Sequence, residues 1–453
     1  MQTITEYRRN ILRLYEQYSE IRAMTERICA PLQIEDYVVQ PVIDVSPPKW
    51  HLAHTTWFFE TFILKPYASN YKEFHPDFSF LFNSYYENVG KRVMRPNRGN
   101  MTRPTVAEVY AYRKYVDEKM QLFIENTTFN KELEALILLG FNHEQQHQEL
   151  LVTDLKYILG GNPLFPALAN EPIKPSNHQA LKTNYLEVDE GVYNIGYNGS
   201  DFHFDNELGI HKVYLHAFQC QDRLITNGEY LEFMQAGAYQ DFNLWFAEAW
   251  DWVKTNQIVA PMYWHFISNE PLAMSNEPSS RMGQQEKLKA QSSKLKAQTG
   301  EWYYYTLHGL QKIDLYAPVT HVSFYEAEAY SRWRGRRLLT EFEWEVACKM
   351  YNPKPEGTFL ESQFYAPTAR QGNYPQFLGD VWEWTNSSYL PYPYFQKAAG
   401  AIGEYNGKFM INQMVLRGGS CATPKSHIRN TYRNFFPTSS RWQFTGIRLG
   451  EYI

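Results

Sequence analysis

The stretch FNHEQQHQELLVTDLKYILGG, residues 141–161, carries a helical period that stops at a glycine pair. Leu136, Gly140, His143, His147, Leu150 and Asp154 recur at steps of three and four, one face of a helix predicted from about Glu132 to Leu159. His143 and His147 are i and i+4, so their imidazoles lie about one turn apart on that face and can share a metal ion. Two imidazoles in a stripe that faces a core need partners or a metal. The same letters fit two motifs. Read as H-E-x-x-H, Glu144 is the general base of a zinc hydrolase. Read as H-x3-H-x-E, Glu149 is a third ligand, but it lies two residues past His147, about 200° round the helix, and is expected to point away.

Three more helices are predicted before this one. Ile11, Leu14, Tyr18, Ile21 and Ile28 share one face of the first. The second is expected to start at Ser46 as N-cap, with Pro47 and Pro48 in its first turn, and to run through Trp50, Trp57 and Phe58 toward Pro66. The third begins near Pro104 and carries Val106, Val109, Tyr110 and Val116. Four amphipathic helices make a bundle, and bundle cores are a common place for metal sites built from facing helices. The segment WHLAHTTWFFE offers His51 and His54 as a third ligand, and periodicity alone does not choose between them. Three neutral imidazoles with open positions suit Fe(II) and Zn(II) equally.

A chain of 453 residues exceeds one ordinary core, and its organisation reads as two domains. The bundle is expected over 1–165, a Pro-, Asn- and Ala-rich linker over 166–184, and a loop-rich α+β domain over 185–453. In the last, short alternating segments such as Tyr185 to Val188, Lys212 to Leu215 and Val415 to Arg417 read as strands. A polar insert near 275–300 contains KLKAQ twice, at 287 and 294. The net charge of -5 gives no basic face for nucleic acid, and no apolar run approaches the ~18 residues of a membrane helix. With no basic-then-apolar leader, a cytoplasmic location is expected. The four cysteines, Cys29, Cys220, Cys348 and Cys421, form no CxxC pair and are expected in the core. An aromatic content of 16%, with 34 Tyr and 12 Trp, suits a pocket for a cationic or ring-shaped ligand.

SPPKWHLAHTTWFFE (46–60), NSYYENVGKRVMRPNRG (83–99) and HEQQHQELLVTDLKY (143–157) resemble the N-terminal half of the ergothioneine-pathway sulfoxide synthases. FDNE (204–207), TNGEY (226–230), VSFYEAEAYSRWRGRRLLTEFEWEVA (322–347), GDVWEWTNSSY (379–389), VLRGGS (415–420) and TGIRL (445–449) resemble the formylglycine-generating-enzyme domain, a C-type-lectin-like fold. The catalytic form of that domain relies on paired cysteines near its C-terminus. Cys421 is alone, so that activity is not expected. The two resemblances together imply a DinB-like four-helix bundle followed by the lectin-like domain, with Trp382 and Trp384 in its core.

Residue by residue, the resemblance implies an Fe(II) centre on His54, His143 and His147. It implies that Gln146 and the Asn434-Phe435 pair hold hercynine, the trimethylated histidine betaine, and that Arg95 and Arg98 hold the carboxylate of the sulfur donor. Relatives that use gamma-glutamylcysteine carry an acidic residue directly after the Asn-aromatic pair. Phe436 stands there and favours free cysteine, as does the Tyr85-Tyr86 pair, which resembles the cysteine-using branch. The implied reaction joins the cysteine sulfur to the imidazole ring with O2 as oxidant and sulfoxidation. A phenol, Tyr86 or Tyr85, would donate a proton or hydrogen atom to oxygen, with Tyr389 and Tyr392 as further candidates. Rival readings are an ovothiol-type 5-histidylcysteine sulfoxide synthase, a selenium-using relative, the zinc hydrolase built on HEQQH, and a lectin-like binding module with a structural metal.

Overall fold

The computed structural model describes residues 4–169, 182–268, 300–351, 354–370, 372, 374–397, 403 and 406–453, with side chains from Ile11 onward. The polar insert, apart from Gly300, and residues 170–181 of the expected linker lie outside the described residues. Four long helices form the N-terminal half: α1 (Ile4–Cys29), α2 (Pro48–Phe59), α3 (Val106–Asn126) and α4 (Lys131–Gly160). α2 packs against α3 and α4, and α1 packs against the same two helices. Every residue of α2 is buried, which its near-continuous run of apolar and aromatic residues allows.

The start of α2 differs from expectation by one residue. Pro47, not Ser46, occupies the N-cap position, because Ser46 is engaged elsewhere: its N–H donates to Asp154 Oδ2 (2.8 Å) and its hydroxyl accepts from Arg98 (2.9 Å). Beyond Phe59 the helix continues through a π-helical turn, Glu60–Leu64, to Tyr67. Thr105 and Glu108 close a capping box on α3, and the Asn130 side chain caps α4 by accepting from the Leu133 N–H. Gly140 lets α2 and α4 approach closely. A Cβ there would lie 2.7 Å from the Phe59 ring.

The bundle core is not purely apolar. Glu144, with no exposed surface, pairs with Arg22 (2.9 Å) and Arg113 (2.7 Å) and accepts from the Thr25 hydroxyl (2.7 Å). Burial alone would raise this carboxyl, but Arg113 and Arg22 outweigh it and hold the group down at about 2.

In the C-terminal half, one four-stranded sheet runs in the order Tyr185–Val188, Phe218–Gln221, Leu449–Tyr452, Arg337–Leu338. A second runs Asn434–Phe436, Met414–Arg417, Trp382–Ser388, Thr445–Gly446. Helices Phe324–Trp333 and Glu341–Tyr351 pack against these strands. Asn434–Phe436 is the edge strand of its sheet, with Val415 opposite Phe435 and Leu416 opposite Asn434. All four cysteines are buried and unbridged. Among the described residues no helix is long and apolar enough to cross a membrane.

Removing one partner of a buried ion pair leaves the other charge stranded, so Arg113→Ala is expected to cost about 3–5 kcal/mol in urea or guanidinium unfolding. The Glu144 carboxylate contributes stability above the ordinary glutamate range, ~4.3. That contribution falls away as the pH drops from there toward about 2, and an acid titration of the unfolding midpoint measures it.

Candidate active site

His54 on α2 and His143 and His147 on α4 converge, with one potential ligand atom from each lying within 4.8 Å of the others. The i, i+4 spacing on α4 and the contact with α2 bring this about. Each ring is held differently. His54 Nδ1 donates to the Phe82 carbonyl (2.6 Å), and its ring is stacked between Trp50 (4.4 Å) and Trp57 (5.4 Å). His143 stacks on Phe58 at 4.6 Å, and its buried Nδ1 has no hydrogen-bond partner among the described residues.

His147 is fixed through a chain. Asp154 Oδ2 lies 2.9 Å from His51 Nε2, and His51 Nδ1 lies 3.0 Å from His147 Nδ1. A carboxylate accepts, so His51 carries its proton on Nε2 and offers a lone pair at Nδ1. His147 must then carry its proton on Nδ1, which leaves its Nε2 lone pair for a metal. Burial pushes His54 and His147 well below the ordinary imidazole range and His143 down to about 4. Three neutral imidazoles, with two Nδ1 atoms engaged elsewhere and one orphaned, are a donor set that fits a divalent transition metal. His51, the alternative third ligand, is the support of His147 in this arrangement.

The triad opens into a cavity of about 420 Å³ whose wall comes from both domains, and all eleven site residues expected from the sequence line it. Arg98 lies over the Trp50 ring, 3.4 Å from its centroid, and donates to the Ser46 and Ser84 hydroxyls. Arg95 donates to the Tyr85 hydroxyl (3.2 Å) and to the Asp44 carbonyl. Among the described residues neither guanidinium pairs with a carboxylate, and burial next to Arg95 brings Arg98 down to about 9. A buried and a half-buried guanidinium side by side, with Asp44 and Asp154 near but not paired to them, make a site that favours an anion.

Tyr86 packs on Trp57 and Phe62, and the Tyr85 ring meets Phe409 edge-on at 5.3 Å. Across the cavity, Phe435 stacks between Tyr389 (4.1 Å) and Phe409 (5.6 Å), and Phe436 meets Trp442 edge-on. The Asn434 side chain accepts from the Phe435 N–H, and Gln146 Nε2 donates to Tyr432. Tyr389 and Tyr392 lie outside the cavity wall, contrary to the candidacy their loop suggested. Tyr389 backs Phe435, while the Tyr392 hydroxyl donates to the buried Glu341 carboxylate.

Glu149 points away from the triad, as the helical angle requires. Its carboxylate accepts from Trp382 Nε1 (2.6 Å) and from the Ser420 and Thr423 hydroxyls (2.6 and 2.7 Å) of the second domain. Trp382 is thus a cavity-wall residue bound to the bundle as well as a core residue. Glu144 faces Arg22 and Arg113 on the other side of α4, which removes the base that a zinc hydrolase would need. Sequence reasoning passed over Glu149 as a domain tie, and Tyr432 and Phe409 as cavity walls. Asp154 did stand in the helical stripe, a signal for its role behind His51.

Residues 171–452 match the sulfatase-modifying factor enzyme 1-like domain, and residues 17–151 match the DinB superfamily. A segment of 334 residues is 30% identical to a hercynine oxygenase of Mycobacterium tuberculosis, covering 68% of this chain and 69% of that protein. The chain belongs to the hercynine oxygenase family. A second hercynine oxygenase, from Mycolicibacterium smegmatis, is 27% identical over 438 residues, 89% of this chain and 91% of its own length. The hercynine oxygenase family comprises the ergothioneine-pathway sulfoxide synthases that the motifs resemble. Its architecture, a DinB-like bundle followed by a formylglycine-generating-enzyme-like domain, is the one found here.

Asp154→Asn removes the anionic anchor of the His51–His147 chain. The expected result is a 10- to 100-fold lower affinity for a divalent metal, read by competition with a chelator, with the helical circular dichroism spectrum unchanged.

Proposed function

We propose that this hercynine oxygenase homologue joins hercynine to free cysteine through a carbon–sulfur bond, with sulfoxidation at the expense of O2, on an Fe(II) centre held by His54, His143 and His147. The observation that carries the reading is the shared cavity. Three neutral imidazoles, an arginine pair that no carboxylate among the described residues pairs with, and an aromatic wall face one space of about 420 Å³, within the ordinary range of small-molecule sites. Each feature meets one part of the two substrates.

Bound Fe(II) would supply open coordination positions that gather sulfur, imidazole and O2, and the redox capacity for the oxidation. The protein's own residues do the rest. Arg95 and Arg98 hold the cysteine carboxylate, and because Arg98 is braced by Trp50 and two serine hydroxyls it costs little further ordering. The aromatic faces around Phe435 attract the trimethylammonium group, which cannot donate a hydrogen bond and so is recognised by π-faces. Gln146, one residue before His147, reaches the imidazole edge. Tyr86, whose ring packs on Trp57 and which lines the same cavity as the triad, would donate a proton to reduced oxygen.

Free cysteine is favoured over gamma-glutamylcysteine because Phe436 puts an apolar ring where the glutamylated donor's amine would need a carboxylate. A trimethylated histidine is favoured over plain histidine, the ovothiol-type substrate, because the wall that would face its amine is built from Phe435 and Phe409, with Tyr389 stacked behind Phe435.

Protein reconstituted anaerobically with Fe(II) and then exposed to air with trimethylhistidine and cysteine should yield a conjugate of the mass of the sulfoxide. Gamma-glutamylcysteine and plain histidine should yield little. Conjugation of plain histidine in preference to the betaine would replace this reading by the ovothiol-type one. Arg98→Met should raise the KM for cysteine by about tenfold or more and leave the affinity for trimethylhistidine within about threefold.

A further inference from the structure

We propose that Asn142, His427 and Tyr432 form a one-way hydrogen-bond relay that fixes the Gln146 amide with its carbonyl oxygen toward the cavity, so that the site reads an imidazole N–H and binds the ring as a single tautomer. The proposal rests on the function proposed above and assigns positioning roles to three residues from two domains.

The direction of the relay is set at its far end by a group that can only accept. Asn142 Nδ2 donates to the backbone carbonyl of Leu138, one turn earlier on α4, at 2.9 Å. The Asn142 amide therefore cannot flip, and its Oδ1 faces His427 Nδ1 at 2.9 Å. An amide oxygen accepts, so His427 carries its proton on Nδ1. His427 has no exposed surface, and burial together with Arg429 keeps it neutral, so Nε2 holds a lone pair. The Tyr432 hydroxyl lies 3.2 Å from that nitrogen and must donate to it. Its only proton is thereby committed.

Gln146 reaches the Tyr432 oxygen at 2.9 Å, and with the phenolic proton spent only an N–H can make that bond. The Gln146 carbonyl oxygen is then the group left for a ligand in the cavity that both Gln146 and Tyr432 line. A carbonyl oxygen takes a ring N–H and rejects a ring lone pair. An imidazole bound there keeps its hydrogen on the nitrogen facing Gln146, and its second nitrogen carries the lone pair that a metal requires. Without the relay, Gln146 could present either end of its amide, and both tautomers would be admitted.

The test compares three ligands by calorimetric titration of the metal-loaded protein under anaerobic conditions: trimethylhistidine and the betaines of the two thiazolylalanine isomers, in which a ring sulfur replaces one nitrogen or the other. The unmodified protein should bind the imidazole about tenfold more tightly than either thiazole, the worth of one well-placed hydrogen bond. Tyr432→Phe keeps the ring that packs on Trp382 and Phe204 and frees the Gln146 amide. It should narrow the preference to about threefold or less. His427→Phe should do the same.

A merely structural role would weaken all three ligands by one factor and leave the ratio intact, and that result overturns the relay. So does an unmodified protein with no preference between imidazole and thiazole. Failure of the unmodified protein to bind any of the three would instead sink the functional reading on which the relay depends.

Discussion

The Glu144 carboxylate, clamped between Arg22 and Arg113, fixes the rotation of α4 about its own axis, and that rotation aims every polar residue of its middle turns. At about 100° per residue, neighbouring side chains face different surroundings. His143 and His147 face α2. Gln148 donates to the Ile21 carbonyl of α1, and Gln145 donates to Ser426 of the second domain. Gln146 reaches Tyr432 and Glu149 reaches Trp382, both also in the second domain. A single helix thus carries a buried ionic anchor, the imidazole pair and the tie between domains. A rotation of half a residue would disturb all three together.

The cavity exists because two independently built cores meet along this helix. The bundle contributes the imidazoles and the arginines, and the lectin-like domain contributes an edge strand and its flanking aromatic rings. Close approach is enforced at both levels. Gly140 admits the Phe59 ring inside the bundle, and at the end of α4 a Cβ on Gly160 would lie 2.7 Å from the Tyr305 ring of the other domain. Glu149 then spans the junction with three donors, so that a carboxyl which burial would push upward is satisfied across the interface.

Much of this was legible in the sequence. Helical period, proline and glycine punctuation and the i, i+4 histidines yield four helices to within a residue or a few, because such signals are local. The choice of His54 over His51 was not local: it depends on the Phe82 carbonyl and on Asp154, a hundred residues from His51. The direction of Glu149 followed from helical geometry, but its partners Trp382, Ser420 and Thr423 are more than two hundred residues away, and no periodicity reports them. Ser46 looked like an N-cap by residue type, yet Asp154 and Arg98 claimed its polar groups, a case of tertiary contacts overriding local preference. Tyr432 and His427 sit in irregular loops with no repeating pattern and became visible only once the two halves were brought together.

The second domain touches the cavity through an edge strand, Asn434–Phe436, through Trp382 and Arg433 and through neighbouring loops, while the rest of its sheets and the buried Glu341–Arg417 pair lie behind. Edge positions and loops accept substitution at little cost to a core they do not fill. The wall that meets one substrate can therefore drift over generations while the imidazole centre, locked inside the bundle, stays as it is. Such a division of labour makes the pairing of these two domains a scaffold on which a lineage can exchange one small molecule for another and inherit its metal chemistry intact.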